Sequence, residues 1–207
     1  MVLTMLIHGS PDLGVRSLRA AKAGSPGPLS PTDWLKHGLS ALAAGGPRAL
    51  RADVLARELG VSRGSFYWHF QSLDDFHAQL LSFWTHVAVD KMIDQHERSA
   101  ASPQARLKAI VLHAFTTDLR FERAMRAWSL EADRVANALA EIDTRRTTYL
   151  SRLLRAAGHG QKSAAARARL MYTAFVGFVV RPAPSGSEGE QIANSILSTL
   201  LKRTPTT

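Results

Sequence analysis

Arg63, Ser65, Tyr67, Trp68 and His69 fall within one short stretch, and their side chains suit a polyanion. A guanidinium can read a guanine edge, and hydroxyl or imidazole donors can hold phosphate oxygens. Phe66 and Phe70, at i and i+4 in the same stretch, can anchor one side of a helix against Leu35, Leu39 and Leu42. The opposite side then shows two aromatic rings and a histidine to solvent, an unusual composition for a plain surface. Two other chemistries compete: Tyr67 and Trp68 as anchors of a protein-interaction module, and an enzyme using His113 or Tyr172 as acid–base groups in an apolar pocket.

Other constellations are weaker. His86, Asp90 and Asp94 have the spacing to share a helix face, and imidazole with carboxylates can hold a divalent metal. The same spacing also describes a solvated face, so no metal is expected. Asp118, Glu122 and Glu131 alternate with Arg120, Arg123, Arg126 and Arg134, which reads as a salt-bridged surface and not as paired catalytic acids. The chain carries no nucleophile elbow, no phosphate-cradling glycine loop and no metalloprotease histidine pair. No cofactor and no enzymatic activity are expected.

The elements that must position Arg63–His69 are written in local signals. Ser30, Pro31 and Asp33 fit the N-cap, N1 and N3 positions of a helix continued by Leu35, Leu39 and Leu42 and stopped at Gly45-Gly46-Pro47. A second helix is expected from about Arg51 to Leu59, with Val54, Leu55 and Ala56 inside. Gly60 supplies the turn, Ser62 can cap a third helix ending near Phe70, and Ser72 with Asp75 opens a long fourth one. That fourth helix carries Phe76, Leu80, Phe83, Trp84 and Val87 on one stripe. Breaks recur at Ser102-Pro103, Gly158-His159-Gly160 and 181–190, and the stretches between show helical spacing. The fold class is all-α, with about nine helices in a small N-terminal bundle and a larger C-terminal one. The expected divisions are an arm over 1–27, a domain over 28–88 with a helix-turn-helix at 51–70, and a larger helical bundle over 89–207.

Composition bounds these readings. The 207 residues include 26 Lys and Arg against 17 Asp and Glu, a formal net charge of +9. This favours polyanionic partners, yet residues 31–80 are net neutral and residues 81–207 carry +7. Cysteine is absent, which excludes disulfides, thiolate metal sites and a cysteine nucleophile. No run reaches the ~18–20 apolar residues of a membrane span. The N-terminal apolar run meets His8 and Asp12 early, so no signal peptide and a cytoplasmic setting are expected.

At Leu55-Ala56, Leu59-Gly60-Val61-Ser62-Arg63-Gly64-Ser65, Phe66-Tyr67-Trp68-His69-Phe70 and Ser72-Leu73-Asp74-Asp75-Phe76, the sequence resembles the TetR family of bacterial transcriptional regulators. The resemblance implies that Arg51, Ser62, Arg63, Gly64, Ser65, Tyr67, Trp68 and His69 form the DNA-binding site. Arg63 and Ser65 would meet base edges, and Ser62, Tyr67, Trp68 and His69 would lie nearer phosphates. Many family members have Thr or Ser where Arg51 stands and Lys where Leu73 stands. Arg51 can supply phosphate-directed charge in place of the Thr or Ser; nothing replaces the lysine locally.

The resemblance also implies a homodimer and a pocket for an effector. Trp84, His113, Phe115, Thr116, Phe121, Met125, Trp128, Tyr172 and Phe175 are the candidates for a mostly apolar lining with a few polar handles. Tyr172, Val176, Val179, Ile192, Ile196 and Leu200, on the last two helices, are the candidates for a dimer face. The expected function is a transcriptional regulator, acting as a repressor: a homodimer binds a palindromic double-stranded operator and is released by a largely apolar small molecule.

Overall fold

A computed structural model describes residues 29–99, 101–181 and 187–202. The expected arm over 1–27, with its basic residues Arg16–Lys22, lies outside them. The described residues are helical throughout, with no strand among them. The helices are α1 (Pro31–Gly45), α2 (Ala52–Leu59), α3 (Arg63–His69), α4 (Leu73–Thr85), α5 (Met92–Glu97), α6 (Pro103–Thr116), α7 (Arg120–Ser129), α8 (Asp133–Ala156), α9 (Gln161–Val180) and α10 (Glu188–Leu200). A short 3-10 turn, Pro47–Leu50, precedes α2. The long fourth helix of the sequence reading is α4 and α5 joined through a π-helical segment, His86–Lys91. Counted as one run, they make nine helices among the described residues.

The capping signals act as their residue types require. Ser30 Oγ accepts from the Asp33 N–H at 3.3 Å, and Asp33 accepts from the Ser30 N–H at 3.0 Å, closing the box at the start of α1. Ser72 Oγ accepts from the Asp75 N–H at 3.0 Å, but Asp75 reaches one residue further back, to the Gln71 N–H at 2.9 Å. Ser62 stands at the N-cap of α3 in extended conformation without a side-chain cap bond. Gly60 ends α2 at φ 71°, and the N–H groups of Gly60 and Val61 return to the carbonyls of Arg57 and Ala56. A side chain at that φ would be strained, so glycine sets the angle between α2 and α3.

The chain forms two compact units. Of the described residues, one holds those up to Ala88 together with Arg120–Ala138; the other holds those from Val89 to Leu119 and from Leu139 on. Residues 120–138 therefore cluster with α1–α4, although they are far from them in the chain. In the first unit, α7 packs along α1, and Trp34, Phe66, Phe70 and Phe76 interlock at its centre. Glu122 corrects the reading of α7 as a solvated salt-bridged face: it is 6% exposed. The helix is covered around most of its girth, with Phe121, Met125 and Trp128 also buried and only Arg120 and Ala127 fully open, so one charged position falls inside. Val54 and Phe83, expected inside, are half-buried.

In the second unit α6, α8, α9 and α10 close over a core of Leu107, Val111, Phe115, Leu153, Leu154, Met171, Phe175 and Phe178. The segment Met171–Val180 is apolar nearly all round, yet its two sides differ: Met171, Phe175 and Phe178 face the core, whereas Val180 is 64% exposed.

Candidate nucleic-acid interface

The short helix α3 is held from beneath. Phe66 is fully buried, with ring centroids of Trp34, Phe70 and Phe76 at 5.4, 5.1 and 5.3 Å. Burial of one side commits the other to solvent, because a seven-residue helix has only two turns to distribute. Tyr67 is 46% exposed and Trp68 87%, and Arg63 is exposed beside them. Trp68 projects a large apolar surface that the fold itself does not use.

The polar groups on this side are ordered. Arg63 Nη2 donates to Tyr67 Oη at 3.1 Å, and the guanidinium carbon lies 5.4 Å from the ring centroid. The phenolic oxygen accepts this bond and keeps its own proton to donate outward. Ser65 and His69 are half-buried, while Ser62 and Gly64 are exposed at the start of α3. Arg51 stands at the N-cap of α2, exposed, with Nε 3.2 Å from Asp53 Oδ1. The eight residues expected to touch DNA therefore lie at the starts of α2 and α3 and along α3. Their chemistry is two guanidiniums, hydroxyls and flat rings, which suits base edges and sugar–phosphate.

The remaining candidates separate. Trp84, Phe121, Met125 and Trp128 are core residues of the first unit, with Trp84 and Phe121 centroids 5.7 Å apart. Phe115, Tyr172 and Phe175 belong to the core of the second unit, and His113 and Thr116 are exposed on α6. Tyr172 donates its phenolic hydrogen to Asp143 Oδ1 at 2.6 Å. Of the residues expected at a dimer face, Val179 is fully buried and Tyr172 is 9% exposed, so both serve the unit's own core. Val176, Ile192, Ile196 and Leu200 are half-buried, and Leu170, which the sequence reading did not nominate, is 59% exposed on α9.

The weak metal candidate resolves into ion pairs. Asp90 is bonded to Arg145, and Asp94 lies 3.9 Å from Arg98. No group of three or more metal-ligating side chains occurs among the described residues. One polar feature was not nominated from sequence: an open groove beside α8 lined by Thr144, Thr148, Arg152, Arg155 and Arg169. Its signal, hydroxyl and arginine residues one and two turns apart from Thr144 to Arg155, was present in the sequence.

Residues 35–79 match the sequence model of the family described as "Bacterial regulatory proteins, tetR family". No curated protein matches the chain by sequence. Among solved structures, a transcriptional regulator from Rhodococcus sp. Rha1 is similar over 83% of this chain and 94% of its own, with TM-score 0.65 and 20% identity. A TetR-like transcriptional regulator from Rhodococcus sp. RHA1 is similar over 81% and 91%, with TM-score 0.61 and 14% identity. The fatty acid degradation regulator FadR from Bacillus halodurans is similar over 84% and 95%, with TM-score 0.60 and 14% identity. At these identities the likeness is one of fold.

Proposed function

We propose that this chain, a member of the tetR family of bacterial regulatory proteins by its 35–79 segment, binds a palindromic operator as a homodimer and represses transcription until a small molecule releases it. The observation that carries the reading is α3: a helix anchored by buried Phe66 that turns Arg63, Tyr67 and Trp68 to solvent. A helix-turn-helix lays this second helix in the major groove, its N-terminal residues at base edges. Arg63 and Ser65 read bases; Arg51, Ser62, Gly64, Tyr67, Trp68 and His69 fix the backbone.

Two copies are required because a palindrome presents the same half-site twice, one helical turn or a multiple of it apart. Exposed Leu170 and Val180 on α9, with half-buried Val176, Ile192 and Ile196, support a contact through α9 and α10. The effector is largely apolar and enters the second unit, where Phe115, Tyr172 and Phe175 supply apolar surface and His113 and Thr116 polar groups. It acts by preferring the conformer that binds operator poorly, since a ligand shifts an equilibrium only by its differential affinity. No described helix is long and apolar enough to cross a membrane, in keeping with a cytoplasmic regulator.

Mobility shift of the purified protein on the DNA upstream of its own coding sequence tests this, with a salt series and Tyr67→Ala in parallel. Saturable binding that weakens steeply with salt and is lost in the variant is expected, with the variant still dimeric in solution. Wild-type affinity in both Tyr67→Ala and Arg63→Ala would remove α3 from the interface. Binding without salt dependence would favour a protein-interaction surface.

A further inference from the structure

We propose that the polar groove beside α8 and α9 is a second binding site, for a small phosphate-bearing molecule. The proposal concerns the second unit alone and does not depend on the operator reading. Thr144, Thr148, Ser151, Arg152 and Arg155 recur at helical intervals along α8, and Arg169 joins them from α9. The depression has a volume of about 670 Å³, within the ~300–1,000 Å³ of small-molecule sites.

The chemistry of the lining selects the ligand. Guanidinium forks match phosphate oxygens two at a time, and hydroxyl groups donate to those that remain. The lining contains a single carboxylate, Asp143, and its Oδ1 already accepts the 2.6 Å bond from Tyr172. Arg155 and Arg169 are exposed and have no carboxylate partner among the described residues. Arg152 is different: its Nη2 lies 2.9 Å from Glu97 Oε1, and its guanidinium carbon 5.0 Å from the Tyr149 ring centroid. It is thereby oriented before any ligand arrives, which lowers the entropic cost of assembling the site. Arg155 and Arg169, without carboxylate partners, repel one another across the groove, and an anion between them reverses the sign of that interaction. A cation gains nothing beside these guanidiniums. Inorganic phosphate alone would fill a small part of the volume, so the fitting ligand carries further atoms or a second phosphate.

The test is calorimetric titration of the full chain with inorganic tripolyphosphate in about 0.15 M salt, where long-range attraction is largely screened. Citrate is titrated alongside. The variants are the double substitution Arg155→Gln with Arg169→Gln, and Arg63→Ala to discount anions held by α3. Thermal melting confirms that each variant is folded; both arginines of the double variant are exposed, so its melting point is expected to match wild type. Saturable binding of tripolyphosphate that weakens about tenfold or more in the double variant, and is unchanged in Arg63→Ala, supports the site. Equal binding in the double variant, loss in Arg63→Ala instead, no saturable binding, or citrate binding as tightly as tripolyphosphate would each overturn it.

Discussion

Arg63 and Tyr67 are bonded to each other across one turn of α3, guanidinium nitrogen to phenolic oxygen at 3.1 Å, on the side of the helix that the aromatic core leaves open. The pair is preassembled: the arginine that reads a base in the proposed complex is oriented by the tyrosine that meets the backbone. Side chains at i and i+4 face each other on a helix, so the arrangement needs no third element.

The first prediction follows from that coupling. Tyr67→Phe removes the acceptor and keeps the ring. Its cost in operator affinity is expected near the net worth of one hydrogen bond, about 1 kcal/mol, or roughly fivefold in Kd. In an Arg63→Ala background the same change is expected to cost less, because the group it positions is gone. A double-mutant cycle on operator binding measures this, and strictly additive costs would show that the two residues act independently.

Acid should weaken the first unit through His77. Its Nδ1 lies 2.8 Å from Arg134 Nη2, whose Nη1 reaches Asp74 at 2.8 Å, and its ring centroid is 5.1 Å from that of Trp128. Burial first, and then the Arg134 charge, hold the imidazole below its ordinary 6.5; the Leu50 backbone and Asp74 oppose this less strongly. The folded state therefore holds His77 neutral where the unfolded chain begins to protonate. Its contribution is complete above about pH 6.5 and is lost as the pH falls through the lower folded value. Melting curves from pH 7.5 to 5 for wild type and His77→Gln test it. The stability gap between them is expected to narrow in acid, and a constant gap would assign the pH response to other groups.

A single methyl group at Gly189 should loosen the second unit. A Cβ there would overlap the carbonyl oxygen of Phe115 at the end of α6 and stand 3.3 Å from the Phe178 ring. Helix propensity alone favours alanine by ~1 kcal/mol, whereas overpacking costs ~1–3 kcal/mol. Gly189→Ala is expected to lower the melting temperature by several degrees. An unchanged or higher melting temperature would mean that α10 is not pressed against α6 so closely.

The helix-turn-helix was legible from sequence because its determinants are local. Ser30 with Asp33, the turn at Gly60 and the Phe66/Phe70 spacing each act within a few residues of themselves, and each appears as its chemistry requires. The exposure of Tyr67 and Trp68 followed from the same spacing, since burying one side of a short helix leaves the other in water.

Tertiary structure decided what apolar spacing cannot encode. A stripe states that a helix buries one side, but not against which partner. So Trp84, Phe121, Met125 and Trp128 settled in one unit and Phe115, Tyr172 and Phe175 in the other, although the sequence reading grouped them as one lining. Charge alternation likewise placed Glu122 in solvent, and only the cover around α7 brought it inside. The close approach of Gly189 to Phe115 joins residues distant in the chain, and the placing of Arg169 beside Arg152 and Arg155 joins two helices. Such contacts depend on how helices cross, a property of all the packed side chains together and of no single stretch of sequence.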